Sequence, residues 1–158
     1  MNGPAFDELL RRLAEAGVEF VVVGGLALNA WGVVRGTKDV DVVIAKTPEN
    51  IKRVAEVAVS AGGHVQRGDA FLGTPISIAA ALADGDQVAI ETDLGRLDVV
   101  QGLDGVPDFE ELRSRAVEAE ILGSTVWICS RDDLRAMKRV AGRTRDLADI
   151  EDLDTASD

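Results

Sequence analysis

The sequence predicts an α/β fold, a mixed β-sheet flanked by helices with a short C-terminal helical extension. Three observations carry this. Residues 20–44, FVVVGGLALNAWGVVRGTKDVDVVI, place a β-branched run, a glycine pair, a small-residue helix and a second β-branched run in immediate succession. Apolar residues recur at helical spacing in several segments that end at glycine. Turn signals at Asp84-Gly85-Asp86, Asp93-Leu94-Gly95 and Gly123-Ser124 punctuate short strand-like runs.

Taken in order, residues 5–16 set Phe6, Leu9, Leu10 and Leu13 on one helical face, with Gly17 as the stop. Residues 18–23 form the first strand, residues 26–33 a short helix, and residues 39–44 the second strand. Thr47-Pro48 reads as an N-cap followed by proline at the first helical position, opening a helix to about Ser60. Residues 64–74 have short strand character at best. Thr74-Pro75 starts an Ala-rich helix through Leu82. Residues 87–92 and 96–100 make a hairpin. Asp108 opens a helix to about Val117, and residues 119–122 and 125–129 make a second hairpin. Ser130 caps a helix ending near Ala141-Gly142, with Asp132 and Asp133 in its first turn, where the helix dipole favours them. Thr144 or Arg145 begins the last helix, and residues 155–158 fray. The division is a core over 1–130 and a helical extension over 131–158 packed on it, one domain in all.

The chain has 158 residues, enough to bury a core without disulfides or metal staples. Apolar residues make up 46% but aromatics only 4%, so Val, Leu, Ile and Ala must build that core. A single cysteine, Cys129, suits a reducing cytoplasm and reads as a small buried strand residue. Trp31 and Trp127 read as core, and His64 as surface. No apolar run approaches the ~20 residues that cross a bilayer, and no signal peptide is visible. The net charge of −11 argues against a broad nucleic-acid grip, which usually rests on a basic balance.

The chemistry-bearing pattern lies in 20–44. Side chains alternate along a strand, so Asp39 and Asp41 share a face, with Cα atoms about 7 Å apart. Two carboxylates on an otherwise apolar strand need neutralising. A divalent cation does this, and oxygen ligands suit Mg²⁺ or Mn²⁺. Gly24-Gly25, where a strand turns directly into a helix, lets backbone approach a ligand closely. Free N–H groups at a helix start favour phosphate. Asp98, a lone acid in the apolar strand 96–100, is the candidate for a third carboxylate.

Gly24, Gly25, Ala27, Arg35, Thr37, Asp39 and Asp41 form G-G-x-A…R-x-T-x-D-x-D. This resembles the signature of the nucleotidyltransferase superfold, the DNA polymerase β superfamily, and its small bacterial branch of AbiEii-type toxins and minimal nucleotidyltransferases. The resemblance implies that fold for the chain. It extends to Asp98 in Gly95-Arg96-Leu97-Asp98, a context similar to that of the family's third carboxylate. It implies metal ligation by Asp39, Asp41 and Asp98, with Mg²⁺ or Mn²⁺ as cofactor and Asp98 on the base side. It also implies NTP contacts by Gly24, Gly25, Arg35 and Thr37.

A basic stripe follows at Arg131, Arg135, Lys138, Arg139, Arg143 and Arg145, with Arg135, Arg139 and Arg143 at i, i+4 steps. By the same resemblance, Lys138 contacts triphosphate and Asp146 is an orienting or catalytic group, with Asp149 the alternative. The expected activity is metal-dependent transfer of an NMP from an NTP to an acceptor. The most specific expectation is a toxin of a toxin–antitoxin system acting on tRNA, with a cognate antitoxin as partner. Two alternatives are a transferase that modifies a protein and a non-catalytic nucleotide-binding partner protein.

Overall fold

Parity along the β-branched runs decides the sheet. In the computed structural model, which describes residues 4–156, β1 (Phe20–Val23) pairs antiparallel with β2 (Asp39–Ile44), Val22 opposite Val42 and Val23 opposite Asp41. β2 runs parallel to β6 (Gly95–Val99), which closes a hairpin with β5 (Val88–Thr92). On the other side β1 runs parallel to β8 (Ser124–Ile128), the partner of β7 (Val117–Ile121). The sheet order is therefore β5-β6-β2-β1-β8-β7. This is the mixed sheet the sequence predicts.

One face of the central strands is wholly apolar. Val22, Val40, Val42, Leu97, Val99 and Ile90 are all buried. Helices α1 (Phe6–Glu15) and α3 (Pro48–Ser60) add Leu9, Leu10, Leu13, Val54 and Ala58 to the same core cluster. The Thr47 cap forms as predicted, its hydroxyl accepting from the Asn50 N–H at 3.2 Å. Asn50 itself is buried, and its amide bonds the Glu19 N–H, the Glu19 carbonyl and the Ala45 carbonyl at 2.8–3.0 Å. Those bonds pin the start of α3 to the end of the β1–β2 pair where β1 begins and β2 finishes.

Several boundaries differ from the sequence reading. The helix behind the glycines, α2 (Gly24–Ala30), begins on Gly24 itself and stops before Val33. Residues 64–74 hold a defined hairpin, β3 (Val65–Arg67) with β4 (Ala70–Leu72). It is joined to the main sheet by a bridge between His64 and Glu91, so His64 is half-buried rather than at the surface. A capping box between Thr74 and Ser77 starts α4 (Pro75–Ala83). After α5 (Phe109–Arg115), Val117 belongs to strand β7, not to the helix. Gly142, at φ +65°, ends α6 (Arg131–Ala141) in a left-handed turn, so Arg143 leaves the helical face of Arg135 and Arg139. The last helix, α7 (Thr144–Ala156), continues through Thr155 and Ala156, against the expected fraying; the same expectation for 157–158 falls outside the described residues. No described helix is long and apolar enough to cross a membrane.

Candidate active site

The opposite face of the same strands carries the acids. The parallel register of β2 and β6 sets Asp41 directly against Asp98 and Asp39 against Arg96. Carboxylate oxygens of Asp39, Asp41 and Asp98 all lie within 4.8 Å of one another. Asp98 is buried and Asp39 and Asp41 half-buried. Burial, then the charges of Asp39 and Asp98, pushes the Asp41 carboxyl up to about 8. Burial raises Asp98 too, against the opposing pull of Arg96, whose Nε donates to Asp98 Oδ1 at 2.8 Å. Three carboxylates this close, two of them held partly against ionisation, suit a hard divalent cation.

Gly24 stands over this group at φ +67°, and a Cβ there would overlap Asp41 Oδ2. At Gly25 a Cβ would sit 2.8 Å from Thr37 Oγ1. The glycine pair therefore lets α2 begin against the acids, while Thr37 is fixed by donating to the Asp39 carbonyl at 2.9 Å. Gly24→Ala is expected to cost about 1–2 kcal/mol from the left-handed backbone alone. It should also displace Asp41 and depress activity; a denaturation midpoint beside an activity assay measures both.

A cleft of about 410 Å³ opens over the triad. Gly24, Gly25, Arg35, Thr37, Asp39, Asp41, Asp98 and Lys138 line it, so the structure brings together all these predicted residues. Five basic side chains, Arg35, Lys38, Lys138, Arg143 and Arg145, face the three acids. Of the basic stripe, only Lys138, Arg143 and Arg145 reach the cleft; Arg135 instead pairs with Asp154 at 2.8 Å.

Asp146 and Asp149 sit behind the basic wall, both buried. Lys138 Nζ lies 3.3 Å from Asp146 Oδ1 and 3.0 Å from Asp149 Oδ2. Arg143 donates to Asp146 through its backbone N–H at 3.2 Å and through Nε at 2.6 Å. Arg35 pairs with Asp149. Burial alone would raise the Asp146 carboxyl, but the hydrogen bonds from Arg143 and Lys138 outweigh it and hold it below the usual range. Both acids pair with cations; neither lines the 410 Å³ cleft, and Asp146 lines a smaller adjoining pocket of about 160 Å³ that shares Gly24, Asp41, Lys138 and Arg143 with it.

The sequence reading missed Arg96 and Gln87. Arg96 is two residues before Asp98 in the same strand, and that spacing alone puts it on the same face. Gln87, at the head of β5, lines the cleft. Cys129 is buried, and burial pushes its thiol up to about 12, which leaves it un-ionised at neutral pH. Trp31 packs partly buried against the core and donates Nε1–H to the Cys129 carbonyl at 3.0 Å; Trp127 is also only partly buried and lies under the Arg113 guanidinium.

A strand–Gly-Gly–helix unit beside acids on neighbouring strands, under a basic wall, defines a nucleotidyltransferase architecture. The chain belongs to the family described as "Nucleotidyl transferase of unknown function (DUF2204)", whose model matches residues 4–157, and so to the transferases. Solved structures share the fold at low sequence identity. The crystal structure of ANT(2")-Ia in complex with adenylyl-2"-tobramycin is 15% identical with a TM-score of 0.62, over 96% of this chain and 86% of that one. The lincosamide antibiotic adenylyltransferase LnuA, lincomycin-bound, is 11% identical with a TM-score of 0.62, over 96% of each chain. An antigenic nucleotidyltransferase-like protein from Paracoccidioides brasiliensis is 16% identical with a TM-score of 0.56, over 95% of this chain and 72% of that one. No protein of curated function matches the sequence.

Proposed function

We propose that this protein transfers a nucleoside monophosphate from an NTP to an acceptor hydroxyl. The observation that carries the reading is the cleft itself, three converging carboxylates faced by five basic side chains in a chain of net charge −11. Such segregation of charge suits a triphosphate and its cations.

Asp39, Asp41 and Asp98 would hold Mg²⁺ or Mn²⁺. When bound, the metal supplies charge neutralisation on the phosphates and a lowered pKa for the attacking hydroxyl. Gly24 and Gly25 bring the backbone close to the nucleotide's phosphates, and Thr37 keeps the turn beside them. Arg35, Lys138 and Arg143, braced by Asp146 and Asp149, draw the triphosphate into the cleft. The acceptor oxygen forms a bond to the α-phosphorus as the bond to the bridging oxygen breaks. Pyrophosphate leaves with that electron pair, and the hydroxyl proton passes to Asp98, whose orientation Arg96 fixes.

The resemblance to AbiEii-type toxins favours tRNA as acceptor and an antitoxin as partner. The fold neighbours favour a small hydroxylated molecule. The acidic charge weighs for the second, because RNA affinity depends on phosphate contacts by basic residues. The single buried cysteine supports a cytoplasmic setting. The test is incubation with each α-labelled NTP and Mg²⁺, offering tobramycin, lincomycin, bulk tRNA or mixed protein. Label on an acceptor with equimolar pyrophosphate, abolished by EDTA, is expected. Nucleotide binding with no pyrophosphate released from any combination would favour a non-catalytic binding protein instead.

A further inference from the structure

The sheet order separates two sides of the triad. Gly24, at the β1 side, faces Asp41. On the far side of Asp98 the next strand is β5, and the residue opposite Asp98 is Ala89. A methyl group is all that strand β5 projects there, so the sheet face remains open beyond Asp98. One row along, Glu91 stands opposite Arg96.

That opening leads into a second cavity of about 380 Å³, roofed by the β3–β4 hairpin. Ala89, Glu91 and Arg96 line it, with His64, Arg67 and Phe71 from the hairpin. Gln87 lines both this cavity and the triphosphate cleft, so the two meet beside Asp98. Phe71 is 66% exposed although it is a large apolar side chain, and its ring meets His64 edge-on at 5.5 Å. Glu91, also exposed, supplies a carboxylate. The volume is that of a small-molecule site.

Resting on the transferase reading above, we propose that this cavity is the acceptor subsite, and that the acceptor is a small ring compound bearing a hydroxyl group. The ring packs on Phe71 and His64. Polar groups on the ring meet the Glu91 carboxylate and the Arg67 and Arg96 guanidinium groups that line the cavity. The hydroxyl passes over Ala89 to Asp98, loses its proton there and attacks the α-phosphorus, with pyrophosphate as the leaving group.

The experiment uses the full chain, α-labelled ATP, Mg²⁺ and a cell extract split by ultrafiltration into a small-molecule filtrate and a macromolecular retentate. Label is expected on a small species in the filtrate. Ala89→Leu, which fills the passage, should cut that labelling by about tenfold or more, with binding of a fluorescent ATP analogue unchanged. Phe71→Ala, at an exposed position, should raise KM for the purified acceptor and leave kcat unchanged. Wild-type labelling by both variants would overturn the subsite. Label confined to the retentate would overturn it too, while leaving the transferase reading intact. Label in neither fraction would overturn both.

Discussion

Asp41→Asn is expected to lose about a thousandfold in nucleotidyl transfer, some 4 kcal/mol of barrier, and yet to make the metal-free protein more heat-resistant above neutral pH. The two effects have one cause. Asp41 faces Asp98 across the parallel pair and stands beside Asp39, and burial with these charges raises its carboxyl to about 8. A carboxyl raised in the folded state contributes stability below its unfolded value. That contribution is lost as pH rises through the folded value. The metal-free wild type should therefore lose melting temperature between about pH 4 and pH 8. The asparagine variant, with nothing to ionise at that position, should lose less. Added Mg²⁺ should raise the wild type most on the alkaline side and the variant least. Melting curves with EDTA and with Mg²⁺ across that range measure this. A variant that keeps its activity, or one whose metal-free curve tracks the wild type, would show that the three acids do not form one site.

The second large effect falls on stability. Asp146→Ala should lower folding stability by on the order of 3 kcal/mol, a drop in melting temperature of roughly 6–12 °C for a chain of this size. Asp146 is fully buried and accepts from Lys138, from the Arg143 side chain and from the Arg143 backbone N–H at the start of α7. Alanine removes that helix cap and leaves Lys138 half of its carboxylate partners. Here the pH dependence has the opposite sign. The Asp146 carboxyl is held low, so its contribution is present above the unfolded value near 3.8 and is lost in acid. The wild type should therefore lose its advantage over the variant as the solution is acidified below about pH 4, measurable by chemical denaturation in a pH series.

The acidic floor of the cleft was legible in the sequence because strand parity is a strict rule. A lone acid in an apolar run, as at Asp98, and two acids at i, i+2, as at Asp39 and Asp41, each have a determined face. Hydrophobic runs then forced those strands into one sheet. What resisted reading had no such pattern. In the β3–β4 hairpin only Val65 is buried, so residues 65–72 present no alternation to detect. The start of α2 was placed two residues late because glycine is a poor helix former, although here it is the only residue that fits against Asp41. The basic stripe looked continuous because the i, i+4 count ignores the reversal at Gly142. Arg96 went unnoticed because a charged residue at a strand start usually faces solvent.

The parallel pairing of β2 with β6 has a further consequence, for how the molecule is made. Asp41 and Asp98 become neighbours only after everything between β2 and β6 has been synthesised and the long crossover through α3, the small hairpin and α4 has closed. Such non-local pairings are the slow steps of folding, since chain closure precedes any reward from contact. A nascent polypeptide that has reached β2 and α3 already carries the glycine turn and two acids, but it cannot assemble the third. Catalytic competence therefore arrives late in the life of the chain, and a prematurely terminated product ending before residue 95 would be inert.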